Sequence, residues 1–209
     1  MLNANNAAAA KTLLAESLII YQEINNKWGM ASVLFTFGQI SAFGERDYPT
    51  ARQYFEKSQQ IYREIGERRG MAVAVNILGE LAQTQGDWAG ARFLYEQGLL
   101  LSRELGDKNG ICMGMTNISM TLLAQGLDHA SGKSLEELLA ESLTIAWEVG
   151  DKSGIAEALY AMGRVARYQD NYVEAKKMFT ESLPYARELN NNFLFVLVQE
   201  KLYEGHQEC

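Results

Sequence analysis

Apolar residues along this chain recur at spacings of three and four, the period of helices that bury one face. The recurrence is broken at intervals by short polar joints, and the joints resemble one another. Three match closely: Glu64-Ile-Gly-Glu-Arg-Arg-Gly70, Glu104-Leu-Gly-Asp-Lys-Asn-Gly110 and Glu148-Val-Gly-Asp-Lys-Ser-Gly154. Two weaker copies flank them, Glu23-Ile-Asn-Asn-Lys-Trp-Gly29 and Glu188-Leu-Asn-Asn-Asn-Phe-Leu194. The leading glutamates stand 41, 40, 44 and 40 residues apart. The chain is therefore a tandem repeat with a period of about 40 and one four-residue insertion in the third interval.

Each joint reads as the end of one helix and the start of the next. Gly66, Gly106 and Gly150 follow an apolar run and suit the left-handed backbone that terminates a helix; Asn25 and Asn190 replace them in the weaker copies. The acid that follows, Glu67, Asp107 or Asp151, stands where a helix start favours a carboxylate. A second turn appears as Asp47-Tyr48, Asp87-Trp88 and Asn171-Tyr172, so each repeat holds two helices, A and B.

Within helix A, Phe37, Leu78, Ile118 and Met162 are followed by Gly38, Gly79, Ser119 and Gly163. A mid-helix glycine costs about 1 kcal/mol against alanine, and its recurrence predicts close approach of a neighbouring helix. Helix B carries Ala51, Ala91 or Ala175, then Phe55, Tyr95 or Phe179 four residues later, then Ser58, Gly98 or Ser182. This alternation of large and small predicts interlocking helices.

These positions together resemble the tetratricopeptide repeat. The long period and the Gly-Asp-Lys-x-Gly joint are most similar to the repeats of maltose-activator-type bacterial regulators and signal-transduction ATPases. The departures are Ser119 for glycine, Leu135 for alanine, and no proline closing helix B. The resemblance implies an all-α fold, a right-handed α-α superhelix of antiparallel hairpins with about ten helices in a single domain. The boundaries predicted are a half-repeat at 7–24, hairpins at 27–65, 67–105, 107–149 and 151–189, and a terminal helix at 191–204. An array that begins and ends in mid-repeat predicts a piece excised from a longer protein, with exposed repeat ends open to self-association.

Composition narrows the function. A net charge of −7 and a pI near 5.0 argue against a nucleic-acid surface, and no signal peptide or long apolar run points to a membrane; a cytoplasmic chain is expected. Cys112 and Cys209 are too few for a disulfide framework, and with His129 and His206 they form no metal-ligand spacing. His129 lies near Asp128 and Ser131 in the insertion, but sequence neighbours on a loop supply neither an oriented base nor an oxyanion site, so an exposed loop histidine is expected. Cys112, Met115 and the glycines read as packing residues. Pro184 falls inside the last helix B and predicts a bend.

No catalytic, cofactor-binding or metal site is predicted. The resemblance places helix A on a concave, partner-facing surface, and position by position the candidate groove is Phe35, Asn76, Thr116 and Tyr160, then Gln39, Glu80, Met120 and Arg164, with Gln83 and Arg167 one turn on. The expected function is a non-catalytic scaffold for a protein or peptide, as the regulatory or sensor arm of a larger bacterial signalling or transcription protein. The alternative is a module whose superhelix closes on a small effector.

Overall fold

The computed structural model describes residues 4–127, 129–130, 133–189 and 192–207. The fold is all-α. The described helices are α1 (Ala4–Glu23), α2 (Lys27–Gln39), α3 (Tyr48–Glu64), α4 (Arg68–Thr84), α5 (Trp88–Leu105), α6 (Lys108–Ala124), α7 (Leu135–Val149), α8 (Lys152–Tyr168), α9 (Tyr172–Glu188) and α10 (Asn192–Gln207). They pair as the antiparallel hairpins α2–α3, α4–α5, α6–α7 and α8–α9. The chain forms two compact units, Met1–Leu101 and Ser102–Cys209, and the division falls inside α5.

The joints close in the same way each time. At the third, Gly150 takes φ +68°, and the Asp151 N–H returns to the Ala146 carbonyl at 2.9 Å. The Asp151 carboxylate then accepts from the Ser153 N–H at 3.1 Å and starts α8. Asp107 does the same for Gly110 at 3.1 Å, and Glu67 caps α4 through Gly70. Lysine at the head of helix A meets glutamate at the tail of helix B: Lys27–Glu64 at 2.9 Å, Lys108–Glu148 at 3.0 Å and Lys152–Glu188 at 2.5 Å. These pairs are exposed and each stabilises by at most about 1 kcal/mol.

The glycine of helix A makes room for an aromatic ring of helix B. A Cβ on Gly38 would stand 2.6 Å from the Phe55 ring, on Gly79 2.7 Å from Tyr95, and on Gly163 2.5 Å from Phe179. Phe55 and Tyr95 are 0% exposed and Phe179 1%; burying each contributes about 2–3 kcal/mol. In the first unit Phe55 anchors a core with Ala42, Ala51, Leu78 and Leu81. In the second, one cluster joins Cys112, Leu143, Ile155, Leu159 and Met178, and another joins Ala156, Phe179, Ala186, Leu194 and Val198. The last two residues dock α10 on the α8–α9 hairpin, and Arg187 lies 5.5 Å over the Phe195 ring.

Two departures from the repeat have a structural cost visible in the backbone. Nine residues separate Gly38 from Asp47, where eight separate Gly79 from Asp87 and Gly163 from Asn171. The extra residue is absorbed as a π-helical turn at Ile40–Glu45 that continues α2, the form a one-residue insertion takes inside a helix. The larger insertion falls after α6. It makes a two-residue antiparallel ladder, β1 (His129–Ala130) with β2 (Lys133–Ser134), and Ser134 caps α7 in a reciprocal box with Glu137. α7 consequently starts later than the other B helices, so Leu135, in the register of Ala51, Ala91 and Ala175, opens its helix instead of sitting one turn in.

Pro184 lies inside α9, is exposed, and does not end that helix. The joint at Asn190, the side chains of His129 and His206, and Asp128, Ser131 and Cys209 lie outside the described residues.

Candidate functional site

In the first unit, the candidate groove residues divide by burial. Gln39 and Glu80 are exposed. Phe35 is half-buried because its ring leans on Phe55, with centroids 5.2 Å apart. Gln83 accepts the Tyr95 hydroxyl proton at 2.8 Å. Asn76 is 5% exposed, and it is corrected from a surface position to a core one. Its amide fills the space beside Gly98, where a Cβ would collide with Oδ1.

The second unit repeats the correction at Thr116, which is 6% exposed. Its hydroxyl is 3.0 Å from that of Ser142, which in turn donates to the Cys112 carbonyl at 3.0 Å. Tyr160 is half-buried, tilted against Phe179 with centroids 5.8 Å apart. Both residues were drawn toward helix B by its large-and-small register, a pull that the helix-A pattern alone does not reveal.

Two of the remaining candidates of this unit border one opening. Arg164 and Arg167, one turn apart on α8, border a cavity of about 330 Å³ with Leu123 of α6, Tyr168 of α8 and Lys201 of α10. Met120, half-buried, lies on the same helix face as Leu123. Tyr168 and Lys201 went unrecognised in the sequence. The signal was available for Lys201: Ile77, Asn117, Ala161 and Lys201 share one register, and only the last is charged.

Two further cavities belong to this unit. One, of about 310 Å³, is lined by Asp107, Asp151, Ser153, Glu157 and Thr116 at the N-terminal ends of α6 and α8. Burial pushes the Glu157 carboxyl above its ordinary range, opposed by a hydrogen bond from Ser153 at 3.1 Å. The other, of about 220 Å³, is lined by Leu139, Met162, Val165, Ala166 and Met178, with Glu136 and Gln169 hydrogen-bonded at its edge.

Cys112 is 1% exposed, and burial, aided by Asp151, raises its thiol pKa. A protonated, enclosed thiol is a poor nucleophile; Cys112 packs and bonds to the Ser142 carbonyl at 3.3 Å. Met115 is fully buried. Among the described residues no group of three or more His, Cys, Asp or Glu could hold a metal ion, and no helix is long and apolar enough to cross a membrane.

No protein-family model matches the chain, and no curated protein matches it in sequence. A solved structure does: BtubC (BKLC) from P. vanneervenii is similar with a TM-score of 0.71 and 14% identity, over 97% of this chain and 86% of that one. At that identity the likeness establishes the all-α fold and nothing about activity.

Proposed function

We propose that this chain is a non-catalytic scaffold of the tetratricopeptide type that holds a protein or peptide through the exposed parts of its A helices. In the same reading it serves a larger bacterial signalling or transcription protein in the cytoplasm as a regulatory arm. The observation that carries the proposal is the opening bordered by Arg164, Arg167, Tyr168, Lys201 and Leu123. It combines an aromatic ring, cationic heads and an apolar floor, the mixture of anchors by which peptide grooves grip an extended chain. Its volume admits side chains of a peptide and not a folded surface.

The Met-lined cavity of about 220 Å³ favours a second reading, an effector site, since an apolar cavity of about 150 Å³ already accepts a benzene-sized guest. One experiment separates them. The full chain is screened against an array of random peptides and, in parallel, by thermal shift against a metabolite library. Peptide binding that is lost in Arg164→Glu, with unchanged melting, is the expected result. An empty array combined with a metabolite shift that Ala166→Leu abolishes would replace the scaffold with the effector site.

A further inference from the structure

We propose that the cavity between α7, α8 and α9 binds a flat aromatic molecule of about nine non-hydrogen atoms that carries an N–H donor and no negative charge. This rests on the effector reading of the same cavity and supplies the chemistry of its guest.

The repeat explains why space is left here. The lining residues Leu139, Met162, Val165, Ala166 and Met178 stand in the register of Phe55, Leu78, Leu81, Ala82 and Leu94. In the first unit Phe55, Leu78 and Leu81 form one buried cluster with Leu94 packed against it. In the second unit leucine stands for Phe55 and valine for Leu81, and both losses of volume fall on one junction. Leu139 is 0% exposed and Val165 3%, so the volume lost is interior volume. An apolar void destabilises in proportion to its size, and a guest that fills it restores the missing contacts.

Size and lining define the guest. An apolar cavity of about 150 Å³ takes benzene, and in proportion one of about 220 Å³ takes about nine non-hydrogen atoms. Met162 and Met178 offer flexible thioethers that adapt to a ring and make favourable sulfur–aromatic contacts. The rim is acidic: Glu136 in the first turn of α7 accepts from Gln169 Nε2 just past the end of α8, and Glu174 lies in the first turn of α9. A carboxylate has about four acceptor sites, so Glu136 takes a further N–H while keeping its bond to Gln169. A guest with a carboxylate of its own meets like charge. The same rim in the first unit is Arg52 donating to Gln85 at 3.2 Å, with Gly90 in the place of Glu174. Both the space and the acidic rim thus distinguish the α7–α9 junction.

The test uses the full chain and four probes of that size, indole, indene, 1-octanol and benzoate, read by isothermal titration calorimetry. Indole is expected to bind with a dissociation constant of about 0.1–1 mM. Indene lacks the N–H, 1-octanol lacks the ring and benzoate carries a carboxylate; each is expected to bind more weakly, benzoate by at least about tenfold. Val165→Leu restores the side chain of the first unit and fills the space, so indole affinity is expected to fall at least about tenfold with melting equal to or above that of the parent. Should that variant melt lower, Glu136→Gln on the exposed rim provides the second comparison, narrowing the gap between indole and benzoate. Indole binding that Val165→Leu leaves unchanged would place the guest elsewhere and overturn the site. Benzoate bound as tightly as indole would overturn the donor-bearing guest. A metabolite shift that Ala166→Leu abolishes, without indole binding, would keep the effector reading and remove this ligand class; no guest of any kind removes both.

Discussion

Hairpins α8–α9 and α4–α5 share one backbone plan and fill it differently. In α8–α9 an aromatic of helix A, Tyr160, leans on Phe179, and Ser182 of helix B donates to the Ala156 carbonyl at 2.8 Å. Hairpin α2–α3, in the other unit, has the same solution in Phe35, Phe55 and a Ser58 bond to the Ala31 carbonyl at 2.8 Å. In α4–α5 the serine is Gly98, the helix-A aromatic is Asn76, and the B-helix ring is a tyrosine bonded to Gln83. The two positions are thus coupled: where helix B carries Gly98 the facing helix-A residue, Asn76, is buried in the space the glycine leaves, whereas opposite Ser58 and Ser182 the aromatics Phe35 and Tyr160 stay half-buried. The cost in α4–α5 is electrostatic: Asn76 Oδ1 is enclosed without a hydrogen-bond donor, a condition that costs about 1–3 kcal/mol.

The largest effect should come from giving α4–α5 the serine of its relatives while keeping the asparagine. Gly98→Ser drives a Cβ into the Asn76 amide, and overpacking of this kind costs about 1–3 kcal/mol. Adding Asn76→Thr recreates the Thr116–Ser142 pair of hairpin α6–α7 and supplies a hydroxyl for the Ala72 carbonyl, the counterpart of Ala31, Cys112 and Ala156. The double variant is expected to recover nearly all the loss in urea denaturation. A single variant as stable as the parent, or a double variant no better than the single, would show that the two positions are not coupled.

The reverse exchange is milder. Ser182→Gly removes the bond to Ala156 and places a glycine in mid-helix without an asparagine to fill the space. The hydrogen bond contributes about 1 kcal/mol and the change in propensity about half that, so a loss of about 1.5 kcal/mol is expected. Hydrogen exchange of α8 and α9 amides would localise it to this hairpin, and a loss spread evenly over both units would contradict the pairwise account.

How far the sequence reveals all this depends on whether a feature is local. Joint caps such as Asp107 and Asp151 were legible because a carboxylate and the N–H it accepts from stand within three residues. The glycine-to-ring contact was legible as a recurring small residue, although only the structure shows that Gly38, Gly79 and Gly163 face the B-helix ring of their own hairpin. The π-helical turn was implicit in the interval of 41, but a single extra residue can be accommodated as a bulge, a longer turn or a frayed end, and the sequence does not choose. The candidate site was legible in part. Arg164 and Arg167 follow from register, whereas the register of Lys201 hangs on the weaker joint Glu188–Leu194, which lacks the glycines of the close copies. Asn76 and Thr116 were misplaced because their register partners Phe35 and Tyr160 are half-open; burial there depends on the residue at 98 or 142, about two dozen positions away.

The smallest effect isolates the hydroxyl that distinguishes Tyr95 from Phe55 and Phe179. Tyr95→Phe keeps the ring against Gly79 and removes the bond to Gln83, for a loss below about 1 kcal/mol near neutral pH. Burial first, then the negative charge of Glu80, holds the Tyr95 hydroxyl well above its ordinary pKa. The unfolded chain ionises this group near pH 10 and the folded chain does not, so above that pH the unfolded state has released a proton that the native state retains. Stability therefore falls as pH rises through this window, and Tyr95→Phe removes that contribution. The two proteins should converge in urea midpoint above about pH 10 and then exchange order, the phenylalanine variant becoming the more stable. Parallel pH profiles with a constant gap would mean that Tyr95 ionises alike in both states, and that the polar filling of α4–α5 is open to water where the aromatic filling of α8–α9 is closed.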